Sequence, residues 1–457
     1  MSDPIEPRQP FDHRDRRISD EVGGVALARP APLGPSERLE LIDVLRGFAL
    51  LGILPINILS LALPGMAYFN PTIASGFSGG NFAAWSLSYV LFEEKMMTIF
   101  SILFGAGLVL MTDRVQQGKR SPAAFFYRRA AILLVIGLAH AYLLWPGDIL
   151  VSYAICGMLV YPLRKLSPRL LLMIGVLVTL PALAMSRYEA VSLDEARKAA
   201  IRIRADEQHG NRTSHSDQEL AQEWEDARKT FHPTSAEIDE ELEEDRHASY
   251  WQSATRRADG ALAVETQFFA TNLVWTVSGR MLIGMALMNL GVFSGSRSFR
   301  FYVTLALLGY GLGLPIVALG ASRLVEHDFD VIYMLGGGTQ YNEFGSLLVA
   351  LGHVAAMSSF YKAGLAPRLM RCLAAVGRMA LSNYLMQTIL CTTLFYGYGF
   401  GLRGMLERVQ LLGFVAAIWM LQLGYSPLWL GYFRLGPAEW LWRSLTYGKA
   451  QPMRKAG

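Results

Sequence analysis

Charge and cysteine are the scarce ingredients of this chain. Only 18% of its 457 residues are charged, whereas a soluble protein carries about 25%. That shortfall excludes a single soluble domain of ordinary type. Cysteine is limited to Cys156, Cys372 and Cys391. All three fall inside or beside apolar runs and have no CxxC spacing, so they make neither a disulfide framework nor a metal site. The net charge of +4 is small and the basic residues sit in short clusters between apolar runs, which excludes a nucleic-acid binder. No internal repeat is visible, so an inverted-repeat transporter is not indicated.

What the chain has instead is apolar length. Apolar residues make up 52% of it, against a globular norm of about 45–50%, despite a strongly charged stretch near residues 187–262. A spanning helix needs roughly 20 apolar residues. Ten runs qualify: about 44–63, 95–112, 127–145, 148–163, 169–186, 270–294, 299–320, 342–361, 375–396 and 410–433. The fourth is short and follows the tight turn Trp145-Pro146-Gly147-Asp148; the sixth opens near Glu265 as an interfacial helix. The expected fold class is therefore all-α, a polytopic transmembrane helix bundle of about ten spans in contact with the lipid bilayer.

Orientation follows from lysine and arginine in the short loops. The segments 64–82 and 145–148 have none, while 321–341 has Arg323 and 397–409 has Arg403 and Arg408. The alternate gaps are rich: Arg114, Lys119, Arg120, Arg128 and Arg129; then Arg164, Lys165 and Arg169; Arg297 and Arg300; Lys362, Arg368 and Arg371. Ten helices with both termini in the cytoplasm satisfy every gap. The expected organisation is a disordered cytoplasmic tail (1–36), five spans (37–186), a charged extracytoplasmic helical insert (187–262), five more spans (263–434) and a cytoplasmic tail (435–457). The insert reads as a solvated face; a lid over an external site is the sharper alternative.

Ionisable groups within spans are costly, so each is a functional candidate. On the cytoplasmic side, Asp43 and Arg46 are three apart and can pair on one helix face. Arg128 and Arg129 open the third span, and Arg378, Ser382, Asn383 and Gln387 run down the ninth, with 378 and 382 near one face. Guanidinium forks grouped beside an apolar bundle match phosphate oxygens; positive-inside anchoring and helix-end pairing is the other reading. The external set holds Asn57, Glu93-Glu94-Lys95, His140, Asp148, Arg280 and Tyr341-Asn342-Glu343. The turn at 145–148 makes His140 and Asp148 neighbours, and an aspartate beside an imidazole is what a general base needs for orientation. A hydrogen-bonded packing residue is the alternative for His140, and the favoured reading for His353. Gly336-Gly337-Gly338 lacks a GK[ST] ending and reads as a flexible external loop. Phe104-Gly105-Ala106-Gly107 reads as close helix packing.

Five stretches in order carry a resemblance. They are Arg38-Leu-Glu-Leu-Ile-Asp43-Val-Leu-Arg46-Gly47 continuing to Asn57, Phe100-Ser-Ile-Leu-Phe-Gly-Ala-Gly107, Gly147-Asp148-Ile-Leu-Val-Ser-Tyr153, Gly377-Arg378-Met-Ala-Leu-Ser-Asn383-Tyr384-Leu-Met-Gln387, and Gly436-Pro-Ala-Glu439-Trp440 through Gly448. Together they resemble the YeiB-like bacterial membrane proteins over nearly the whole chain after residue 36. From roughly the sixth span on, the chain is similar to that family's domain of unknown function 418. The resemblance implies a multi-pass protein of the bacterial inner (plasma) membrane.

The N-terminal part also resembles the heparan-alpha-glucosaminide N-acetyltransferase branch of transmembrane acyltransferases, through Asp43, Arg46-Gly47 and Asn57. That likeness implies an acyl group moved from cytoplasmic acyl-CoA to an external acceptor such as a sugar or envelope component. Acetyl-CoA is then a co-substrate held near Asp43, Arg46, Arg128, Arg129, Arg378 and Asn383, with no permanently bound cofactor and no metal. His140 oriented by Asp148 is the base, with Asn57 or Arg280 stabilising the oxyanion. That branch carries its histidine in the loop after the first helix, where residues 58–139 here have none. The competing readings are a transporter or flippase of a small anionic or lipid-linked solute, using Arg280 and Glu343, and a structural membrane partner. A homo-oligomer is compatible with all three.

Overall fold

The structure, a computed structural model, describes residues 35–65, 67–74, 76–116, 121–209 and 213–455. The tail expected at 1–36 falls outside them as far as residue 34, as do Lys119, Arg120 and the side chain of Arg114. Among the described residues there are helices and no β-strand. The chain is an all-α helical bundle, as the apolar runs imply.

The first half contains α1 (Pro35–Ala62), α2 (Gly79–Leu91), α3 (Lys95–Gln116), α4 (Pro122–Leu143), α5 (Leu150–Val160), α6 (Pro168–Leu177) and α7 (Leu180–His209). Serine–proline pairs start two of them. Ser121 and Ser167 accept from the third amide beyond, Ala124 N–H and Leu170 N–H, both at 3.4 Å. In each case the following proline takes the first helical position, where its missing N–H costs nothing. Within α1, Pro55 cannot donate to the Leu51 carbonyl. Trp419 Nε1 donates to that carbonyl instead, at 2.8 Å, which is how a proline is tolerated in apolar surroundings.

The charged stretch contributes α8 (His215–Phe231), α9 (Ser235–His247) and α10 (Tyr250–Ala263). It does not begin with a new element, because α7 runs unbroken across residues 186–187. α10 continues through a π-helical segment, Val264–Leu273, into α11 (Val274–Asn289). Then come α12 (Phe299–Glu326), α13 (Val331–Tyr333), α14 (Gln340–Lys362), α15 (Pro367–Arg378), α16 (Ala380–Phe395), α17 (Arg408–Tyr432) and α18 (Pro437–Tyr447).

Among the described residues, seven helices are long and apolar enough to cross a membrane. They contain seven of the ten apolar runs, the 169–186 run crossing the turn between α6 and α7; the other three runs meet larger interruptions. The 148–163 run is short and ends in a 3₁₀ turn, Tyr161–Lys165. The 270–294 run shares its helical rod with the π segment. The 375–396 run is broken at Met379 (φ −111°, ψ 29°) between α15 and α16. Arg378 and Ser382 therefore do not lie on one continuous helix. The break persists because its orphaned backbone groups are met. Glu439 of α18 accepts from Leu381 N–H at 2.6 Å and Ser382 N–H at 3.1 Å. Asn383 donates to the Val376 carbonyl at 3.2 Å.

Small residues set the helix contacts. A Cβ at Gly47 would overlap the Leu373 carbonyl and one at Gly377 the Asp43 carbonyl, which locks α1 against α15. Gly105 against Met281 and Gly284 against Ile102 do the same for α3 and α11. Gly336-Gly337-Gly338 is not an open loop. It lies in a π-helical turn, Met334–Gly338, with Gly337 at φ 155°. Ser186 and Arg187 of α7 donate to the Leu335 and Gly336 carbonyls at 2.8 and 3.0 Å and hold the turn closed.

The insert is clamped to the bundle's connections. Glu241 of α9 accepts from Gly65 N–H at 2.9 Å and from Arg403 at 2.8 Å, and Asp245 also pairs with Arg403. Asn70 donates to the Phe231 carbonyl at 3.2 Å, and Tyr250 donates to the Leu143 carbonyl at 2.9 Å. α8 to α10 therefore pack over the end where the 63–74, 145–148 and 396–408 segments gather.

Candidate functional site

His140 lies near the end of α4, and the 145–148 turn brings Asp148 back to it. His140 Nδ1 is 2.7 Å from Asp148 Oδ1. The carboxylate only accepts, so Nδ1 carries the proton and Nε2 presents a lone pair. Thr388 Oγ1 of α16 is 3.0 Å from that Nε2. Asp148 Oδ2 accepts from Val151 N–H at 2.8 Å at the start of α5, which fixes the carboxylate. All three side chains are buried. Tyr384, one turn before Thr388, places its ring 5.0 Å from the imidazole. The result is an aspartate–histidine–hydroxyl chain in a dry setting, the arrangement in which an imidazole serves as a general base.

At the other end of α4, Arg128 and Arg129 are about 18 Å away along the helix axis, at 1.5 Å per residue. There Arg46 Nη1 and Asp43 Oδ1 are 3.1 Å apart. Arg129 stacks on Trp442 with its guanidinium carbon 3.6 Å from the ring centroid, close enough to Arg46 and Arg443 to interact electrostatically. Arg128 donates to the Leu445 carbonyl at 2.9 Å. A cleft of about 420 Å³ opens beside them, lined by Glu40, Asp43, Arg371 and Arg378 with apolar residues of α15 and α17. Asp43, Arg46, Arg129 and Arg378 thus share one region. Asn383 does not line the cleft; it bonds across the helix break and to Ser426 Oγ at 3.0 Å.

A third polar cluster lies inside the bundle. Arg280 of α11 reaches Glu94 and Glu343, each at 2.8 Å. Lys95, fully buried, donates to the Tyr89 carbonyl at 2.7 Å and to Asn342 Oδ1. Glu94 holds a left-handed backbone (φ 62°) to make this contact, and such strain persists only where its surroundings impose it. Arg280 is thus committed to two carboxylates and makes no contact with His140. Asn57 is half-buried on α1 and is likewise not joined to His140. His353 accepts the packing role: Tyr310 OH is 2.8 Å from Nδ1, and Nε2 donates to the Leu91 carbonyl at 3.0 Å.

Three site residues escaped the sequence reading. Thr388 gives no signal, since threonine inside an apolar span is ordinary. Glu439 was visible only within the closing motif. Gly436 explains that motif's spacing, because a Cβ there would overlap both Glu439 and Ser382. Glu265 reads in the sequence only as the opening of a span; both of its carboxylate oxygens are buried without a hydrogen-bond partner among the described residues.

The helices and the apolar surface define the class: an all-α integral membrane protein. Residues 287–449 match the family model described as a protein of unknown function (DUF418). The chain is 31% identical over 434 residues to the uncharacterized protein YeiB of Escherichia coli (strain K12), covering 91% of this chain and 98% of that protein. It is 29% identical to the uncharacterized protein YxaH of Bacillus subtilis (strain 168), over 93% and 98%. An uncharacterized 39.9 kDa protein encoded in the amylase 3' region of Bacillus acidopullulyticus is 27% identical, over 92% and 97%. No solved structure matches. The chain belongs to the YeiB-like family.

Proposed function

We propose that this protein is a multi-pass transmembrane acyltransferase of the bacterial inner membrane, moving an acyl group from cytoplasmic acyl-CoA to an acceptor on the outer side. The observation that carries the reading is the buried Asp148–His140–Thr388 chain at the far end of α4 from the arginines beside the cleft. In this reading the cleft end, with Asp43, Arg46, Arg129 and Arg378, takes the phosphates of acetyl-CoA. The Nε2 of His140 takes the acceptor's proton, with the Thr388 hydroxyl lying between as relay. The excess of lysine and arginine in alternate loops supports a cytoplasmic cleft end, with both termini on that side.

The test supplies labelled acetyl-CoA to inside-out membrane vesicles and follows label into envelope material. Wild-type vesicles are expected to transfer it; His140→Ala should lose about 10²–10⁴-fold, the usual contribution of general acid–base catalysis. Equal transfer by the two proteins defeats the role given to His140. A transporter is the second reading, favoured by the buried Arg280–Glu94–Glu343 cluster. Solute movement across proteoliposomes without any acyl-CoA would select it.

A further inference from the structure

Glu265 sits in the π-helical segment Val264–Leu273, between α10 and α11. Such segments inside α-helices occur frequently at functional sites. Both carboxylate oxygens of Glu265 are buried, and neither has a hydrogen-bond partner among the described residues. An ionised carboxylate in that state is costly; it holds a proton until a cation joins it. The rod packs against the turn that carries Asp148, since a Cβ at Gly260 would meet Pro146 Cβ at 3.9 Å, and the charge that Glu265 feels there is another carboxylate, Asp148.

A second group points to the same place. Tyr384 is only 4% exposed and lies close enough to both Asp148 and Glu265 to interact with them. Its hydroxyl approaches the Ile149 amide yet makes no hydrogen bond of good geometry. Its ring is 5.0 Å from His140. Trp145 adds an aromatic wall, with its ring 6.4 Å from the imidazole. Arg257, two turns earlier on the same helical rod, stacks on Tyr396 with its guanidinium carbon 4.8 Å from the ring centroid. Two carboxylates, a phenol and aromatic faces therefore converge; His140 pairs with Asp148, and no basic side chain among the described residues pairs with Glu265.

We infer that Glu265, with Asp148 and the Tyr384 hydroxyl, forms a recognition site for an organic ammonium group on the ligand that reaches His140. An ammonium supplies three donors for two carboxylates and a phenolic oxygen, and the neighbouring rings favour a cation. The inference holds whether the ligand is acylated or carried across the membrane, so it stands apart from the acyltransferase reading.

The test uses the full-length protein in detergent near pH 7, where an amine of pKa about 10 is charged. Ethanolamine and its neutral isostere ethylene glycol are titrated separately, with thermal stability as the readout. Ethanolamine is expected to stabilise the wild-type protein saturably, and the glycol is not. Glu265→Gln should weaken the ethanolamine effect by about tenfold or more, the scale of one charge-assisted contact. Tyr384→Phe should weaken it less, and Glu265→Asp should keep the preference for the amine. An equal response to the glycol overturns the inference. So does sodium chloride reproducing the shift at equal ionic strength, or an undiminished ethanolamine response in Glu265→Gln. Acetyl-CoA is titrated into the same samples. Its binding to Glu265→Gln shows that the variant is folded, and its failure to bind any sample counts against the acyltransferase reading alone.

Discussion

At the residue scale, the imidazole of His140 is held from both sides, by Asp148 at 2.7 Å and Thr388 at 3.0 Å. Removing Asp148 takes away the group that fixes the tautomer. Asp148→Asn is therefore expected to cut transfer sharply while leaving the protein folded, which circular dichroism and label transfer together would check. Arg280 calls for a different expectation. Replacing it with alanine leaves Glu94 and Glu343, half-buried at 28% and 22% exposed, without their shared guanidinium. The loss should be about 1–3 kcal/mol of stability, the scale of hydrogen bonds to charged groups. A thermal midpoint unchanged in Arg280→Ala would show that solvent reaches those carboxylates. The His140–Asp148 pairing was legible in the sequence because a tight turn leaves the two nowhere else to go. The Arg280 contacts were not, since their partners lie 186 and 63 residues away in sequence and nothing local records the distance.

At the scale of elements, the notable feature is the break between α15 and α16. Apolar periodicity runs straight through residues 375–396, so a single span was the natural expectation. The break depends on Glu439, a carboxylate on a helix 57 residues beyond Ser382 that acts as the cap no neighbouring residue provides. Glu439→Ala should therefore destabilise α16 by roughly 0.5–2 kcal/mol, the range for losing an N-terminal cap, seen as faster amide exchange at residues 381–383. Unchanged exchange there would show that the break is stabilised by packing alone. In the insert, Glu237 accepts from the Thr234 backbone N–H at 2.6 Å and lies by Arg228. That backbone bond first, and the guanidinium second, hold its carboxyl down at about 2, from an ordinary 4.5. The folded form is the better acid, so the contribution is present above pH 4.5 and is lost as the pH falls toward 2. Hydrogen exchange at residues 234–238 should rise across that window and not above it. The helices of the insert were legible from the helix formers of a charged stretch, but their docking onto Arg403 and Gly65 was not.

At the scale of the whole molecule, apolar run lengths were enough to establish an all-α membrane protein. They overstated the regularity of its helices, because glycine, proline and long-range capping decide where a run is interrupted. The arrangement of polar groups gives the molecule two ends of different character. One is a wide cleft lined by Glu40, Asp43, Arg371 and Arg378, with Arg46 paired to Asp43 beside it; the other is a dry imidazole site roofed by a clamped charged insert. The central claim is that the first end receives an acyl-CoA. The most direct measurement is calorimetric titration of acetyl-CoA into the detergent-purified protein, beside an Arg46→Ala variant. The account predicts saturable binding to the wild type that is weakened by about tenfold or more in the variant, since a charge-assisted phosphate contact is lost. No saturable binding to a well-folded sample, or equal binding by both proteins, would contradict it.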